Sequence, residues 1–139
     1  MVLTELPGNK QTAKAAAEWT PEVDLVLSAL EAAGSASATD ERRRIQRMSY
    51  RVKAELQLFS DPSGSEPWIL FTRDINPKGL GFITRHRLPL GYGGKVRIPS
   101  PTGQMMTIHC TLYRCREAAP GWFEGAMYFN REQWTFSLQ

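Results

Sequence analysis

From Tyr50 onward, apolar residues recur at every second position, and this period most constrains the fold. In the first such segment, Tyr50, Val52, Ala54, Leu56 and Leu58 alternate with charged or amide side chains, as in a strand with one buried face. Clusters of Pro, Gly and Ser follow about every ten residues. The pattern predicts six strands, at 50–58, 68–72, 79–84, 95–98, 105–114 and 122–129. Six short antiparallel strands indicate an all-β barrel or sandwich.

A helix is predicted ahead of the strands, at about residues 20–33. Thr20 suits the N-cap, Pro21 the first helical position and Gly34 the end. One apolar stripe has helical spacing: Val23, Val26, Leu27 and Leu30. We expect an N-terminal extension at 1–39, including a small-residue linker, and a β-domain at 40–139. The last segment, 131–139, fits either a strand or a helix.

The bulk composition is that of a globular chain, with 139 residues, 42% hydrophobic and 22% charged. No apolar run approaches the roughly 20 residues that cross a bilayer, and no secretory signal is visible. We therefore expect a cytoplasmic location without membrane contact. Paired carboxylates, a Ser/His/Asp set and a metal-ligand cluster are not evident, so the sequence does not indicate an enzyme, a metal or a cofactor.

The two cysteines, Cys110 and Cys115, do not have the spacing of a disulfide framework or a zinc site. Cys110 alternates with Ile108 and Leu112, which predicts that it faces the core. In a regular strand, positions five apart point to opposite faces, so Cys115 is expected on the outer face. Both are interpreted as free thiols.

Charge is distributed unevenly along the chain. Residues 1–41 carry two lysines against seven acidic residues, a net charge of −5, whereas residues 42–139 carry fifteen basic against seven acidic residues, a net charge of +8. The basic part can attract an anionic partner. The acidic helix can dock on the basic domain or recruit a protein partner.

Arginines are concentrated just before the first strand. Five of them lie within ten residues: Arg42, Arg43, Arg44, Arg47 and Arg51. A guanidinium is a permanently charged, planar fork that binds phosphate oxygens in pairs and also matches the O6/N7 edge of guanine. The cluster therefore predicts an arm that binds a phosphodiester ligand.

A second polar motif, residues 74–79, follows the second predicted strand. The Asp74 carboxylate can accept hydrogen bonds from the N1–H and N2–H₂ groups of guanine. Asn76 offers a donor and an acceptor, and Pro77 fixes a turn. Gly79 is expected to permit a positive φ and the close approach of a ligand.

Together the two motifs resemble those of the PilZ family, RxxxR followed 20–30 residues later by DxSxxG. Here they read Arg43-Arg44-Ile45-Gln46-Arg47 and Asp74-Ile75-Asn76-Pro77-Lys78-Gly79, preceded by the lead-in Asp40-Glu41-Arg42-Arg43. The likeness covers about residues 40–130. It implies a six-stranded antiparallel PilZ-type barrel, here with an N-terminal helical extension. Asn76 stands where the family has serine.

The resemblance also implies a function, that of a receptor for the bacterial second messenger cyclic di-GMP. Arg43 and Arg47 would bind its phosphates and guanine edges, Asp74 a guanine, and Asn76 would make a small polar contact. Gly79 would let the loop approach. Arg42 lies where the family often adds a contact. Binding would rearrange the arm and alter the interaction with a protein partner. A second RxxxR register, Arg47 to Arg51, is ranked lower because Arg51 belongs to the first strand.

Other interpretations stay open. Arg42–Arg44 can be a solvated basic linker, and Asp74 and Asn76 can simply cap a β-turn. The chain can be a PilZ-like scaffold that has lost nucleotide binding and acts through protein contacts. A binder of single-stranded nucleic acid is disfavoured, because the aromatic residues are scattered and show no stacking pattern. Trp68, Trp122, Phe82 and Phe129 are predicted to lie in the core.

Overall fold

The computed structural model describes residues 18–37 and 48–137, with side chains from 18–33 and 48–137. Within these residues there is one α-helix, α1, Pro21–Ser37. Seven strands follow: β1 Met48–Ser49, β2 Lys53–Leu58, β3 Trp68–Asn76, β4 Gly79–Thr84, β5 Gly93–Pro99, β6 Met105–Ala119 and β7 Trp122–Phe129. A 3₁₀ helix, Trp134–Phe136, lies near the C-terminus, in the segment for which the sequence fitted a strand or a helix.

Six of the strands form a closed antiparallel barrel. Their order is β3-β2-β5-β6-β7-β4, and the pairing of β3 with β4 closes the ring. The two residues of β1 pair with β3 outside this ring. The predicted six-stranded barrel with an N-terminal helix is thus confirmed, and the bounds of β4 and β7 are those predicted from the alternation.

The first predicted strand, 50–58, is wrong at its start, because residues 50–52 interrupt the strand between β1 and β2. The Thr72 hydroxyl fills this break: it donates to the Tyr50 carbonyl and accepts from the Val52 N–H at 2.9 Å. The side chain thereby replaces part of the backbone ladder. Tyr50 and Val52 still pack against the core, as the alternation predicts.

Strands β3 and β6 extend beyond their predicted ends at Thr72 and Arg114, and each has a register shift near that end. The register shifts between Thr72 and Asp74 and again between Leu112 and Arg114. Such bulges add a residue and reverse the alternation beyond them. Cys115 therefore packs against the barrel core rather than lying on the outer face as predicted, whereas Cys110 is buried in the core, as predicted.

The barrel interior is a single apolar cluster, and the C-terminal segment contributes to it. Phe136, in the 3₁₀ helix, is fully buried and packs edge-on against Tyr50, with ring centroids 5.6 Å apart. The Tyr50 hydroxyl donates to the Pro99 carbonyl at 2.5 Å. Phe82 and Phe129 also lie in this cluster and Trp68 packs against it, as predicted. Phe136 thus completes the core.

Helix α1 lies on the outside of the barrel, over β3, β4 and β7. Its buried residues Val23 and Leu27 pack with the second apolar cluster, formed by Ile69, Phe71, Ile83 and Trp122. The predicted apolar stripe is therefore confirmed. The predicted end at Gly34 is wrong, because α1 continues to Ser37. A glycine inside a helix costs only about 1 kcal/mol, which the packing of α1 offsets.

Charged contacts also hold α1 to the barrel. Arg51 pairs with Glu31 at 3.1 Å and Asp24 at 3.9 Å. The Trp122 indole N–H donates to the Glu22 carboxylate at 2.9 Å. The acidic helix thus docks on the basic barrel, one of the two roles left open for it. Within the described residues, no helix has the length and apolarity needed to span a membrane.

Candidate functional site

The pairing of β1 with β3 determines where the arginine arm joins the barrel. Met48 lies opposite Ile75, and Ser49 lies opposite Asp74. Arg47 directly precedes Met48 in the sequence. The predicted site residues Arg42, Arg43 and Arg47 themselves lie outside the described residues. The domain boundary predicted near residue 40 lies outside them as well.

Asp74 is half-buried on the outer face of β3. It lies between Ser49 of β1 and Gly81 of β4 in the sheet. Its chain neighbour Ile75 points into the core, and side chains alternate along a strand, so the Asp74 carboxylate is directed outward. The point where the arm enters and the predicted guanine acceptor are thus on adjacent strands.

Asn76 ends β3 and stabilises the turn that follows it. Its Oδ1 accepts from the backbone N–H of Lys78 at 2.7 Å and from that of Gly79 at 3.1 Å. This is the local turn-capping role that Asn commonly plays. The Oδ1 atom is therefore engaged within the protein, whereas the Nδ2 amide has two further hydrogens to donate.

Gly79 is required for a different reason from the one predicted. Its φ is not positive, so the predicted left-handed backbone is wrong. A Cβ at this position would lie 2.1 Å from the Met127 carbonyl oxygen. The glycine lets β4 approach β7 at the point where Gly79 pairs with Tyr128. Whether the residue also serves a ligand stays a prediction.

A row of outward-facing residues extends across four strands from Asp74. Asp74 on β3 pairs with Gly81 on β4, Gly81 with Ala126 on β7, and Ala126 with Arg114 on β6. We call these four residues the outer row. It spans three strand spacings, about 14 Å. Gly81 and Ala126, which lie between Asp74 and Arg114 in this row, have no side chain larger than a methyl group.

Arg114 belongs to a cluster of charges that the sequence analysis missed. The Glu124 side chain is only 4% exposed and contacts three guanidinium groups. Arg114 donates to its Oε2 at 2.6 Å, Arg116 donates to its Oε1 at 3.1 Å, and Arg73 approaches Oε2 at 3.6 Å. We call these four residues the Glu124 cluster. The sequence signal for it was weak, two arginines and a glutamate on outward positions of the last hairpin.

The Glu124 cluster also contacts the helix. Arg73 lies in the β3 bulge, and its Nη2 donates to the Leu30 carbonyl of α1 at 3.3 Å. Because Arg73 contacts both Glu124 and Leu30, a change at the cluster can alter the docking of α1.

Arg51, in the lower-ranked motif register, has a structural role. It lies in the break between β1 and β2, and its ion pairs are to Asp24 and Glu31 of α1. This engagement favours Arg43 and Arg47 as the motif arginines, and Arg51 then connects the helix to the barrel.

The Cys110 thiol lies in the buried core of the barrel. Burial raises the pKa of the Cys110 thiol to about 12, which makes it unreactive at neutral pH. Over residues 18–37 and 48–137, no three His, Cys, Asp or Glu side chains are grouped to hold a metal ion.

The fold is similar to that of solved structures at low sequence identity. No family model matches the chain, and no curated protein does. The structure of the Bacillus subtilis inhibitor of motility, MotI/DgrA, matches with a TM-score of 0.53 at 10% identity. The match covers 67% of this chain and 44% of that chain. At this identity the likeness concerns the fold alone, and it supports a PilZ-type barrel.

Proposed function

We propose that the chain is a receptor for cyclic di-GMP that acts as an adaptor, changing its contact with a protein partner when the nucleotide binds. The observation that carries the proposal is the pairing of Ser49 with Asp74. This pairing joins the arginine arm to the barrel beside the carboxylate suited to guanine. We propose that Arg47, which precedes this pair in the sequence, and Asp74, 27 positions later, contact the same ligand.

The chemistry of this surface suits a guanine nucleotide. A carboxylate accepts from guanine N1–H and N2–H₂, whereas adenine does not present that pair of donors. Arg43 and Arg47 supply forks for the phosphates and for the O6/N7 edge. The Asn76 amide nitrogen can add one donor beside them. Gly81 and Ala126, in the adjoining sheet, carry no side chain larger than a methyl group, and both are buried.

The output follows from how the arm and α1 are attached. The chain between α1 and β1 contains the proposed ligand-binding arginines, and Arg51 and Arg73 hold α1 to the barrel. Binding of a ligand by these arginines would therefore act on both ends of this connection. We propose that a protein partner in the cytoplasm recognises the resulting position of the arm and helix. The function is regulatory rather than catalytic.

Calorimetric titration with four nucleotides tests the proposal. We expect cyclic di-GMP to bind more tightly than cyclic di-AMP, GTP and GMP, because only it combines two guanines with two phosphodiesters. An Asp74→Asn variant should lose much of the preference for guanine over adenine. Equal affinity for the two cyclic dinucleotides would refute guanine recognition, and absence of cyclic di-GMP binding at millimolar ligand would refute the receptor function.

The second candidate function is a scaffold that does not bind nucleotide. The observation that favours it is the engagement of Asn76 Oδ1 by two backbone N–H groups. In that case the 74–79 motif would be a turn, and the arm would contact a protein directly. The same titration separates the two functions, because a scaffold shows no heat with any of the four nucleotides.

A further inference from the structure

We propose that the Glu124 cluster is a second phosphate-binding subsite of the same ligand face, with Arg114 as its main contact. The proposal rests on the proposed receptor function and extends it. The arm would hold one phosphate of cyclic di-GMP, and Arg114 the other, from the opposite end of the outer row. No part of the 43–47 or 74–79 motifs supplies this contact.

The first observation is the charge of the cluster. Three guanidinium groups share one carboxylate, which leaves a formal excess of two positive charges on four residues. Asp74, in the adjoining outer row, lowers this excess to one. A cluster with more arginines than carboxylates has a positive potential that attracts a further anion. Glu124 is almost fully buried, whereas the Arg114 and Arg116 side chains are 38% and 71% exposed, so a further anion can approach the two arginines.

The second observation is an unused donor. Arg114 Nε is buried and has no hydrogen-bond partner within the part of the chain that the structure describes. An unpaired buried donor costs free energy, so such groups in native proteins call for an explanation, such as a bound ion. Phosphate oxygens accept from Nε and Nη hydrogens together. A phosphate at this position would satisfy the Nε donor while Glu124 keeps its hydrogen bond to Nη2.

The third observation is the position of Arg114 relative to Asp74. Both lie on the outer row, separated only by Gly81 and Ala126. These two residues are buried, so other parts of the chain cover them. A ligand lying on the row would take the place of that cover and would reach Arg114 from the row. A dinucleotide with a guanine at Asp74 extends along the row toward the Glu124 cluster.

The test is titration of cyclic di-GMP into the full chain and four variants: Arg114→Ala, Arg114→Lys, Arg47→Ala and Arg97→Ala. Arg97 is the matched control, because it is also a strand arginine with one carboxylate partner, Glu55 at 3.7 Å. It lies on β5, which is not part of the outer row. We expect Arg114→Ala to weaken binding roughly tenfold to a hundredfold, as loss of a charge-assisted contact does. Arg97→Ala should change the affinity less than about twofold.

The outcomes separate the subsite from the receptor function. If the wild type binds and Arg47→Ala does not, but Arg114→Ala binds like the wild type, the subsite is overturned and the receptor function stands. If the wild type does not bind, both are overturned.

Arg114→Lys keeps the test valid if Arg114→Ala fails to fold. Lysine retains a charge toward Glu124 but lacks Nε and the fork. It should weaken binding several-fold while thermal stability stays near that of the wild type. Affinity equal to the wild type in a folded Arg114→Lys protein would overturn the subsite.

Discussion

Ser49 on β1 lies directly opposite Asp74 on β3. This single pair relates the two motifs, because Arg47 precedes Ser49 by two residues. Arg51, two residues after Ser49, is directed instead to Glu31 of α1, at 3.1 Å. The two sides of β1 therefore have different roles. The side before β1 leads to the arginines proposed to bind the ligand, and the side toward β2 connects the helix.

The first prediction compares Arg47→Ala with Arg51→Ala. Loss of Arg47 should cost about 2–3 kcal/mol of cyclic di-GMP binding, since it removes a charge-assisted contact, with little change in stability. Loss of Arg51 should lower the stability of the folded protein by about 0.5–1 kcal/mol, because its ion pairs are partly exposed. Calorimetry and urea unfolding measure the two effects. If Arg51→Ala weakened cyclic di-GMP binding more than Arg47→Ala, the choice of the Arg43 to Arg47 register would be wrong.

The barrel was predictable from sequence because its strands follow the two-residue period. The bounds of β4 and β7 came directly from that alternation. The bulges were not predictable, because Arg73 and Asp74 read as the end of a strand although β3 continues through them to Asn76. The same effect misplaced Cys115.

The candidate site was predictable only in part. The motifs were recognised as two separate segments, and turn capping by Asn76 was among the stated alternatives. The Glu124 cluster depends on the register of β3, β6 and β7, which brings Arg73 to residues some 40–50 positions away. Local patterns carry no information about such pairings. The 74–79 motif likewise predicted a positive φ at Gly79, whereas the close approach of β7 explains the glycine in the structure.

The second prediction concerns Asn76→Ser. Serine can cap the turn, although more weakly than Asn, so the stability of the fold should fall by about 0.5–1 kcal/mol. Binding of cyclic di-GMP should be preserved or tightened by about 1 kcal/mol, because the shorter serine side chain relieves crowding and offers a hydroxyl to the ligand. Thermal unfolding and calorimetry on the same samples measure both. If binding disappeared in a folded Asn76→Ser protein, the Asn76 amide would be an essential ligand contact.

The third prediction uses Gly79→Ala. The added Cβ would meet the Met127 carbonyl oxygen at 2.1 Å, so β4 and β7 must separate locally. We expect a loss of about 3 kcal/mol in the free energy of unfolding, at the upper end for overpacking. Gly64→Ala is the control: φ is +81° and no atom lies within 4 Å, so backbone strain alone should cost about 1 kcal/mol. Unchanged stability with impaired binding would show that Gly79 serves the ligand rather than the barrel.

The last prediction concerns the pH dependence of stability and depends on Cys110. Burial raises the pKa of its thiol from 9.0 to about 12, so the unfolded chain loses this proton at a lower pH than the folded protein. The contribution to stability is fully present below about pH 9 and is lost progressively as the pH rises from there through about 12.

At pH 10, one unit above the usual pKa of 9.0, the effect of Cys110 amounts to roughly 1 kcal/mol. Urea unfolding at pH 8 and pH 10 should therefore show a larger decrease for the wild type than for Cys110→Ala. The comparison cancels the lysines and tyrosines that titrate in the same range. Equal decreases in the two proteins would mean that the Cys110 thiol ionises as readily in the folded barrel as in the unfolded chain, which contradicts its burial.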